Sequence, residues 1–393
     1  MKRTIRDLKA IKGKVVLLRV DFNVPFDDNG YISDTTRIDN EIPTIEYLSK
    51  QGAKIVILSH LGRPKGYEIK NSLWPIALYL MKKIKSNVSF CSTVLGDEAK
   101  ERIKAMREGS VLVLENIRFY EGENTCDKKF SKELASLGDI YVNDAFGVVH
   151  RDCASNYGVA RLLPNAIGLL MEREIENLSK LTNDPQKPFV AIIGGTKVES
   201  KVKILEKFIE KADVILIGGA MAYTFLKAKG ENIGASTYYY ESEEYALGIM
   251  QKVEMAGKKL LLPIDHVAVK NSDSKKLPIV TKKLTGDMIG YDIGPKTVKL
   301  FEKEIRKAKQ IFWNGPMGMF EKEPFDQGTN LIAQIISTSK GFSVVGGGDT
   351  VSAVNKTGLQ KRIGFISTGG GATLKYLENG NLPALEVIQE KTL

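Results

Sequence analysis

Short runs of β-branched and leucine residues recur along this 393-residue chain, and most are followed by glycine or polar punctuation and then by a stretch with helical spacing. That repeated strand-then-helix pattern restricts the fold more than any other feature. The clearest runs are Val15 to Val20, Ile55 to Leu58, Val111 to Leu114, Ile140 to Val142, Val190 to Ile193, Val214 to Ile217, Leu260 to Leu262, Ile311 to Trp313, Phe342 to Val345 and Phe365 to Ile366. Near-continuous apolar runs of this length suit strands buried on both faces of a parallel sheet. Between them, Asn40 to Lys50, Trp74 to Lys85, Lys201 to Lys211, Glu243 to Met255 and Lys296 to Ala308 carry amphipathic helical spacing. Ten strands exceed one comfortable twisted sheet, so the pattern predicts an α/β chain of two doubly wound parallel-sheet domains. The boundary is expected near Gly168, before a helical stretch Leu169 to Leu181, with Asn183 to Pro188 as the loop that starts a fresh strand.

Function classes fall away quickly. No apolar run approaches the roughly 18 residues a bilayer requires, and the first residues lack a secretory apolar stretch, so a soluble intracellular protein is expected. The 3 cysteines stand singly, which leaves neither a disulfide framework nor a cysteine zinc site. A net charge of +10 raises nucleic acid, acidic membranes or small anions as partners. Residues 1–170 hold 26 basic and 21 acidic residues and the remainder 31 and 26, so the excess is evenly divided. Even division favours small anions at folded sites over a continuous nucleic-acid groove.

In doubly wound sheets, ligands bind beyond the carboxyl ends of the strands. In the first part those positions read Asp21, Phe22, Asn23; Ser59, His60, Leu61, Gly62, Arg63; Glu115, Asn116, Ile117, Arg118; and Asn143, Asp144, with His150 and Arg151 beyond. Arginine forks match carboxylate and phosphate oxygens, so a small phosphorylated acid is the expected guest. The second part carries glycine clusters at the same level: Gly194, Gly195; Gly218, Gly219; Gly315 to Gly318; Gly346, Gly347, Gly348; and Gly369, Gly370, Gly371. With Lys197 and Lys201 on the first cluster and Asp349 beside the fourth, they predict a nucleotide phosphate site with a carboxylate for magnesium. Neither a P-loop nor a dinucleotide fingerprint is present, and the His150-Arg151-Asp152 element is spaced and ordered wrongly for a protein-kinase loop.

The chain resembles the phosphoglycerate kinases over essentially its whole length. The resemblance rests on Arg19-Val-Asp-Phe-Asn-Val-Pro25, Ser59-His-Leu-Gly-Arg-Pro64, Asn143-Asp-Ala-Phe-Gly147, Gly194-Gly-Thr-Lys-Val198, Gly218-Gly-Ala-Met-Ala-Tyr-Thr-Phe225, Trp313-Asn-Gly-Pro-Met-Gly318, Gly346-Gly-Gly-Asp-Thr350 and Ser367-Thr-Gly-Gly-Gly371. It implies reversible phosphoryl transfer from 1,3-bisphosphoglycerate to MgADP, with a substrate domain (1–168), a nucleotide domain (169–376) facing it across a cleft, and a tail (377–393) returning to the first. By resemblance Asp21, Asn23, Arg37, His60, Arg63, Arg118 and Arg151 form the triose-acid site, and Arg37, Lys197 and Lys201 act on the transferring group. Gly195, Lys201, Gly219, Gly294, Asn314, Glu321, Gly347, Gly348, Thr350, Gly369, Gly370 and Gly371 line the nucleotide, and Asp349 holds Mg2+. Domain closure, a cytoplasmic monomer and no nucleic-acid or membrane partner are implied as well. Thr196, Asp152-Cys153 and the region His266 to Lys270 depart from the family pattern.

Overall fold

The first apolar runs become the centre of a parallel sheet because their side chains have protein on both sides. In the computed structural model, which describes residues 2–272 and 277–391, β1 (Val15–Arg19), β2 (Lys54–Leu58), β3 (Val88–Cys91), β4 (Val111–Leu114), β5 (Ile140–Asn143) and β6 (Asn165–Ile167) pair in the order β3-β4-β2-β1-β5-β6. Every pairing is parallel. The helices Thr36–Lys50 and Trp74–Lys83 lay Ile38, Ile45, Leu48, Ile76 and Leu80 onto Val16, Leu18, Ile55 and Ile57 of the sheet, all buried. Each such side chain contributes about 1.5–3 kcal/mol on burial. Register matters for function: Arg19 stands opposite both Leu58 and Asn143, so the chain leaves β1, β2 and β5 at one level.

The strands β7 (Phe189–Ile193), β8 (Val214–Ile217) and β9 (Lys259–Leu261) are followed by β10 (His266–Lys270), β11 (Ile279–Thr281) and β12 (Met288–Ile293), and then by β13 (Gln310–Asn314), β14 (Phe342–Gly346) and β15 (Phe365–Ile366). A second six-stranded parallel sheet has the order β15-β14-β13-β7-β8-β9. β10 to β12 form a separate antiparallel sheet, order β11-β10-β12, that the sequence reading did not anticipate. Its strands are partly exposed and interrupted by polar residues, so they lack the continuous apolar run that marks the parallel strands. β3 and β6 were also unanticipated; both are sheet edges, one half-exposed at Ser89 and Phe90, the other only three residues long.

The backbone divides into two units, Met1–Glu176 with Asn381–Leu393, and Asn177–Gly380, the division falling inside the helix Leu169–Thr182. Of the expected tail, residues 392 and 393 lie outside the described residues. In the first unit the two ends of the chain meet: the Arg3 N–H donates to the Gln389 carbonyl at 2.8 Å, Lys2 pairs with Glu390 at 2.8 Å, and the Gln389 N–H donates to Asn165 Oδ1 at 2.7 Å. Among the described residues no helix is long and apolar enough to cross a membrane.

Candidate functional site

Where β1, β2 and β5 end together, the first unit gathers cations. Arg37 lies in the first turn of the helix Thr36–Lys50, a turn earlier than the sequence spacing suggested, and its Nη1 donates to Asp21 Oδ2 at 2.7 Å. Arg118 Nη1 donates to the Gly62 carbonyl at 2.6 Å, and the Gly62 N–H donates to Asn23 Oδ1 at 2.9 Å, so the loop after β2 is clamped from both sides. His60 is buried; burial, then the positive fields of Arg19, Arg118, Arg151 and Arg37, hold it well below the ordinary imidazole range. It is therefore neutral at pH 7, and its Nδ1 accepts from Arg19 Nη2 at 3.2 Å. The 3.9 Å approach of that nitrogen to Asp21 Oδ1 is accordingly not an ion pair. Burial and the neighbouring Arg19 and Arg151 pull Arg118 down to about 10, still charged at neutral pH.

Arg19, which the sequence reading left out of the site, is buried and fully engaged: Nε donates to Ser155 Oγ at 2.8 Å and Nη1 to the Val20 carbonyl. It adds field rather than a free fork. Arg151 is exposed, with Nε donating to His150 Nε2 at 3.4 Å, and Arg63 is exposed with no side-chain hydrogen bond among the described residues. Four arginine fields converging on one neutral histidine, with Arg37 paired to Asp21, give this surface the positive potential that suits an anion.

In the second unit the glycine clusters enclose a cavity of about 800 Å³. Its wall includes Gly195, Lys197, Lys201, Gly219, Asn314, Glu321, Gly347, Gly348, Asp349, Thr350, Gly370 and Gly371; Gly294 and Gly369 lie outside it. The helices Gly348–Thr357 and Gly371–Asn379 both start at this wall, bringing unsatisfied N–H groups and the positive ends of two dipoles. Asn314, at the end of β13, ties the site together: its Oδ1 accepts from Lys201 Nζ and its Nδ2 donates to the Gly346 carbonyl at 2.7 Å. Next to it the Gly315 N–H donates to Thr350 Oγ1 at 2.6 Å. Lys197 holds its ammonium 5.2 Å from the ring centre of Tyr239.

The cavity wall also carries the larger side chains Tyr223, Pro263, Ile293, Met317 and Phe320. Asp292 stands among them, accepting from the Gly328 N–H at 2.6 Å and the Ile293 N–H at 2.8 Å, while burial pushes its carboxyl up to about 8. Sequence reasoning missed part of this wall. Tyr223 and Met317 lie inside the motifs that carry the family resemblance, whereas Tyr291, Asp292 and Ile293 belong to the unanticipated β12. Gly347 needs its glycine: φ is +96°, and a Cβ there would strike the Asn314 amide. Gly347→Ala is expected to lower kcat/KM for the nucleotide at least about tenfold, from strain and misplacement at the helix start; steady-state kinetics indistinguishable from wild type would show that the turn tolerates a side chain.

A sequence model of the family described as "Phosphoglycerate kinase" matches residues 5–380. The chain belongs to the phosphoglycerate kinase family. It is 47% identical over 394 residues to the phosphoglycerate kinase of Leptospira biflexa, covering 100% of this chain and 99% of that protein. With the phosphoglycerate kinase of Finegoldia magna it shares 44% over 397 residues, covering 99% and 100%. The structure of phosphoglycerate kinase from Coxiella burnetii superposes with a TM-score of 0.89 at 37% identity, covering 99% of each chain. The chain is thus a glycolytic phosphotransferase, moving a phosphoryl group reversibly between 1,3-bisphosphoglycerate and ADP, with Mg2+ carried on the nucleotide.

Asp349 suits that ion. Its carboxylate is in the first turn of the helix Gly348–Thr357, on the cavity wall, and makes no side-chain hydrogen bond among the described residues. Among those residues no three carboxylate, histidine or cysteine side chains stand together as a self-sufficient metal cage. One carboxylate plus substrate phosphates is the usual environment of nucleotide-borne magnesium.

Proposed function

We propose that the two units divide the family's reaction between them: Asp21, Asn23, Arg37, His60, Arg63, Arg118 and Arg151 hold the triose acid, and the glycine-walled cavity holds the nucleotide. The observation that carries this reading is the convergence of arginines on a neutral His60 in one unit, while the paired helix starts, Lys201 and Asp349 line a cavity in the other. An oxygen of ADP attacks the acyl phosphate, so no serine, cysteine or general base is required. Catalysis then consists of alignment and of neutralising charge on the group in flight. Arg37, Lys197 and Lys201 supply that charge, and Mg2+ held by Asp349 neutralises the nucleotide phosphates when bound. Gly195, Gly219, Asn314, Glu321, Gly347, Gly348, Thr350, Gly370 and Gly371 shape the nucleotide site from the cavity wall; Gly294 and Gly369 support it from outside.

Two half-sites on separate units require closure before transfer, which also keeps water from the acyl phosphate. Small-angle scattering is expected to give a smaller radius of gyration with both substrates than with either alone; equal radii in all four states would remove closure from the mechanism. We further infer a monomer acting in the cytoplasm, without nucleic-acid or membrane partners; sedimentation equilibrium showing a dimer at working concentration would overturn the first part.

Lys201 gives a pH signature. Burial pushes its ammonium down to about 8, opposed by Asp349 and Glu378. The free enzyme therefore loses this cation as pH rises through about 8, and kcat/KM for the nucleotide is expected to fall on that alkaline limb. Lys201→Arg, which stays charged, is expected to flatten the limb; a limb that persists unchanged in that variant assigns it to another group.

A further inference from the structure

Directly behind the Asp21–Arg37 pair lie two more carboxyl groups that no solvent reaches. Glu41, one turn beyond Arg37 on the same helix, and Asp144, just past β5, are both 0% exposed. One oxygen of each is engaged by backbone: the Asp21 N–H donates to Glu41 Oε1 at 3.1 Å, and the Met171 N–H donates to Asp144 Oδ1 at 2.8 Å. The other two, Glu41 Oε2 and Asp144 Oδ2, are buried with no hydrogen-bond donor assigned. The two side chains are adjacent, and the Thr44 hydroxyl, which accepts from the Leu169 N–H at 3.0 Å, makes no hydrogen bond to Asp144 Oδ2.

Two adjacent carboxylates without a cation would be costly, because each buried acceptor lacks a donor and like charges repel. The charged groups nearby do not relieve them. Arg37 donates to Asp21, whose own charge adds to the repulsion on Glu41; Arg19 donates to Ser155, His60 and the Val20 carbonyl, and the neutral His60 faces Arg19; from the helix Leu169–Thr182, Glu172 is paired with Arg6 and Arg173 donates to Asn40 Oδ1 at 3.1 Å. A single proton on one orphan oxygen, donated to the other, satisfies both atoms at once. Burial raises both carboxyls, Glu41 well above its ordinary range with Asp144 adding to the effect.

We propose that Glu41 and Asp144 share one proton at neutral pH and act as a positioning pair, anchoring the Asp21 backbone, and with it the partner of Arg37, to the start of the helix Leu169–Thr182. The shared proton stands independently of the catalytic reading; the positioning role rests on the placement of Asp21 and Arg37 in the substrate site. The sign of its effect on stability follows. An unfolded glutamate ionises near pH 4.3, whereas the folded pair keeps its proton to higher pH, so the contribution is fully present below that value and is lost as pH rises towards the folded value.

Glu41→Gln is the diagnostic variant, since its amide N–H can donate to Asp144 Oδ2 while its oxygen still accepts from the Asp21 N–H. An infrared difference spectrum at pH 7, wild type minus Glu41→Gln, is expected to show the carbonyl stretch of a protonated carboxyl; absence of that band overturns the shared proton. If Glu41→Gln does not fold, Asp144→Asn removes the same proton from the other side. For positioning, Glu41→Ala is expected to lower kcat/KM for 3-phosphoglycerate about tenfold, and Glu41→Gln to restore it to within about twofold. Asp21→Ala measured in parallel separates the failures. Unchanged kinetics there remove Asp21 from the substrate site and leave the infrared result untouched, whereas an effect there with none in Glu41→Ala overturns the positioning role.

Discussion

Arg37→Ala is expected to lower kcat, at saturating concentrations of both substrates, by on the order of 10² to 10³. Its guanidinium is held by one 2.7 Å bond to Asp21 while 38% of the side chain remains open to solvent, so it is oriented but still has donors to give. In the proposed mechanism those donors meet the transferring phosphoryl group only after closure, and an interaction made chiefly in the transition state appears in kcat. Arg63 makes the control. It is exposed and makes no side-chain hydrogen bond among the described residues, and by resemblance to the family it is proposed to hold the phosphate end of the triose acid that does not react. A contact present equally before and during transfer gives uniform binding, so Arg63→Ala is expected to raise KM for 3-phosphoglycerate and leave kcat near that of wild type. Should Arg37→Ala keep near-normal kcat, Arg37 is a binding residue and the charge on the group in flight is met elsewhere.

Asp349→Ala is the second large effect, with kcat expected to fall by at least about 10². The carboxylate sits where the helix Gly348–Thr357 begins, on a cavity wall and not in the packed core, so removal leaves no void behind and thermal unfolding should stay close to wild type. Losing the only carboxylate proposed for the nucleotide-borne ion should also raise the magnesium concentration needed for half-maximal rate. Normal activity with an unshifted magnesium requirement would refute the metal assignment. Its neighbour is affected too: without Asp349, Lys201 loses a charge that favours its ammonium, so the alkaline limb should move to lower pH.

Which parts of this molecule could be read from its sequence follows from what physical signal each part leaves. Runs such as Val15 to Val20 and Ile311 to Trp313 declare themselves because strands buried on both faces need apolar residues at consecutive positions. The strand-end rule then led to Asp21, His60, Arg63 and Arg118 without any knowledge of packing. It did not lead to Arg37, because that residue is carried by a helix that starts at Thr36, and its nearness to Asp21 comes from tertiary packing. β10 to β12 were missed because partly exposed antiparallel strands mix polar with apolar residues, and Asp292 was missed with them. Glu41 shows a deeper limit. On its helix it is one more acidic residue, and only the three-dimensional meeting with Asp144 turns it into half of a proton-sharing pair.

The pairing of Lys2 and Arg3 with Glu390 and Gln389 bears on the order in which a ribosome could deliver a finished molecule. The second unit is one uninterrupted segment, Asn177–Gly380, inserted into the first, whose last piece is Asn381–Leu393. At about 5–20 residues per second, roughly 200 residues of insertion separate the two pieces by roughly 10 to 40 s of synthesis. During that interval the nascent first unit has Asn165 Oδ1 and the Lys2 ammonium without their final partners, while the inserted unit emerges whole. The later-encoded unit is therefore the first that can reach its native state, and a stop codon a dozen residues early would strand the earlier one.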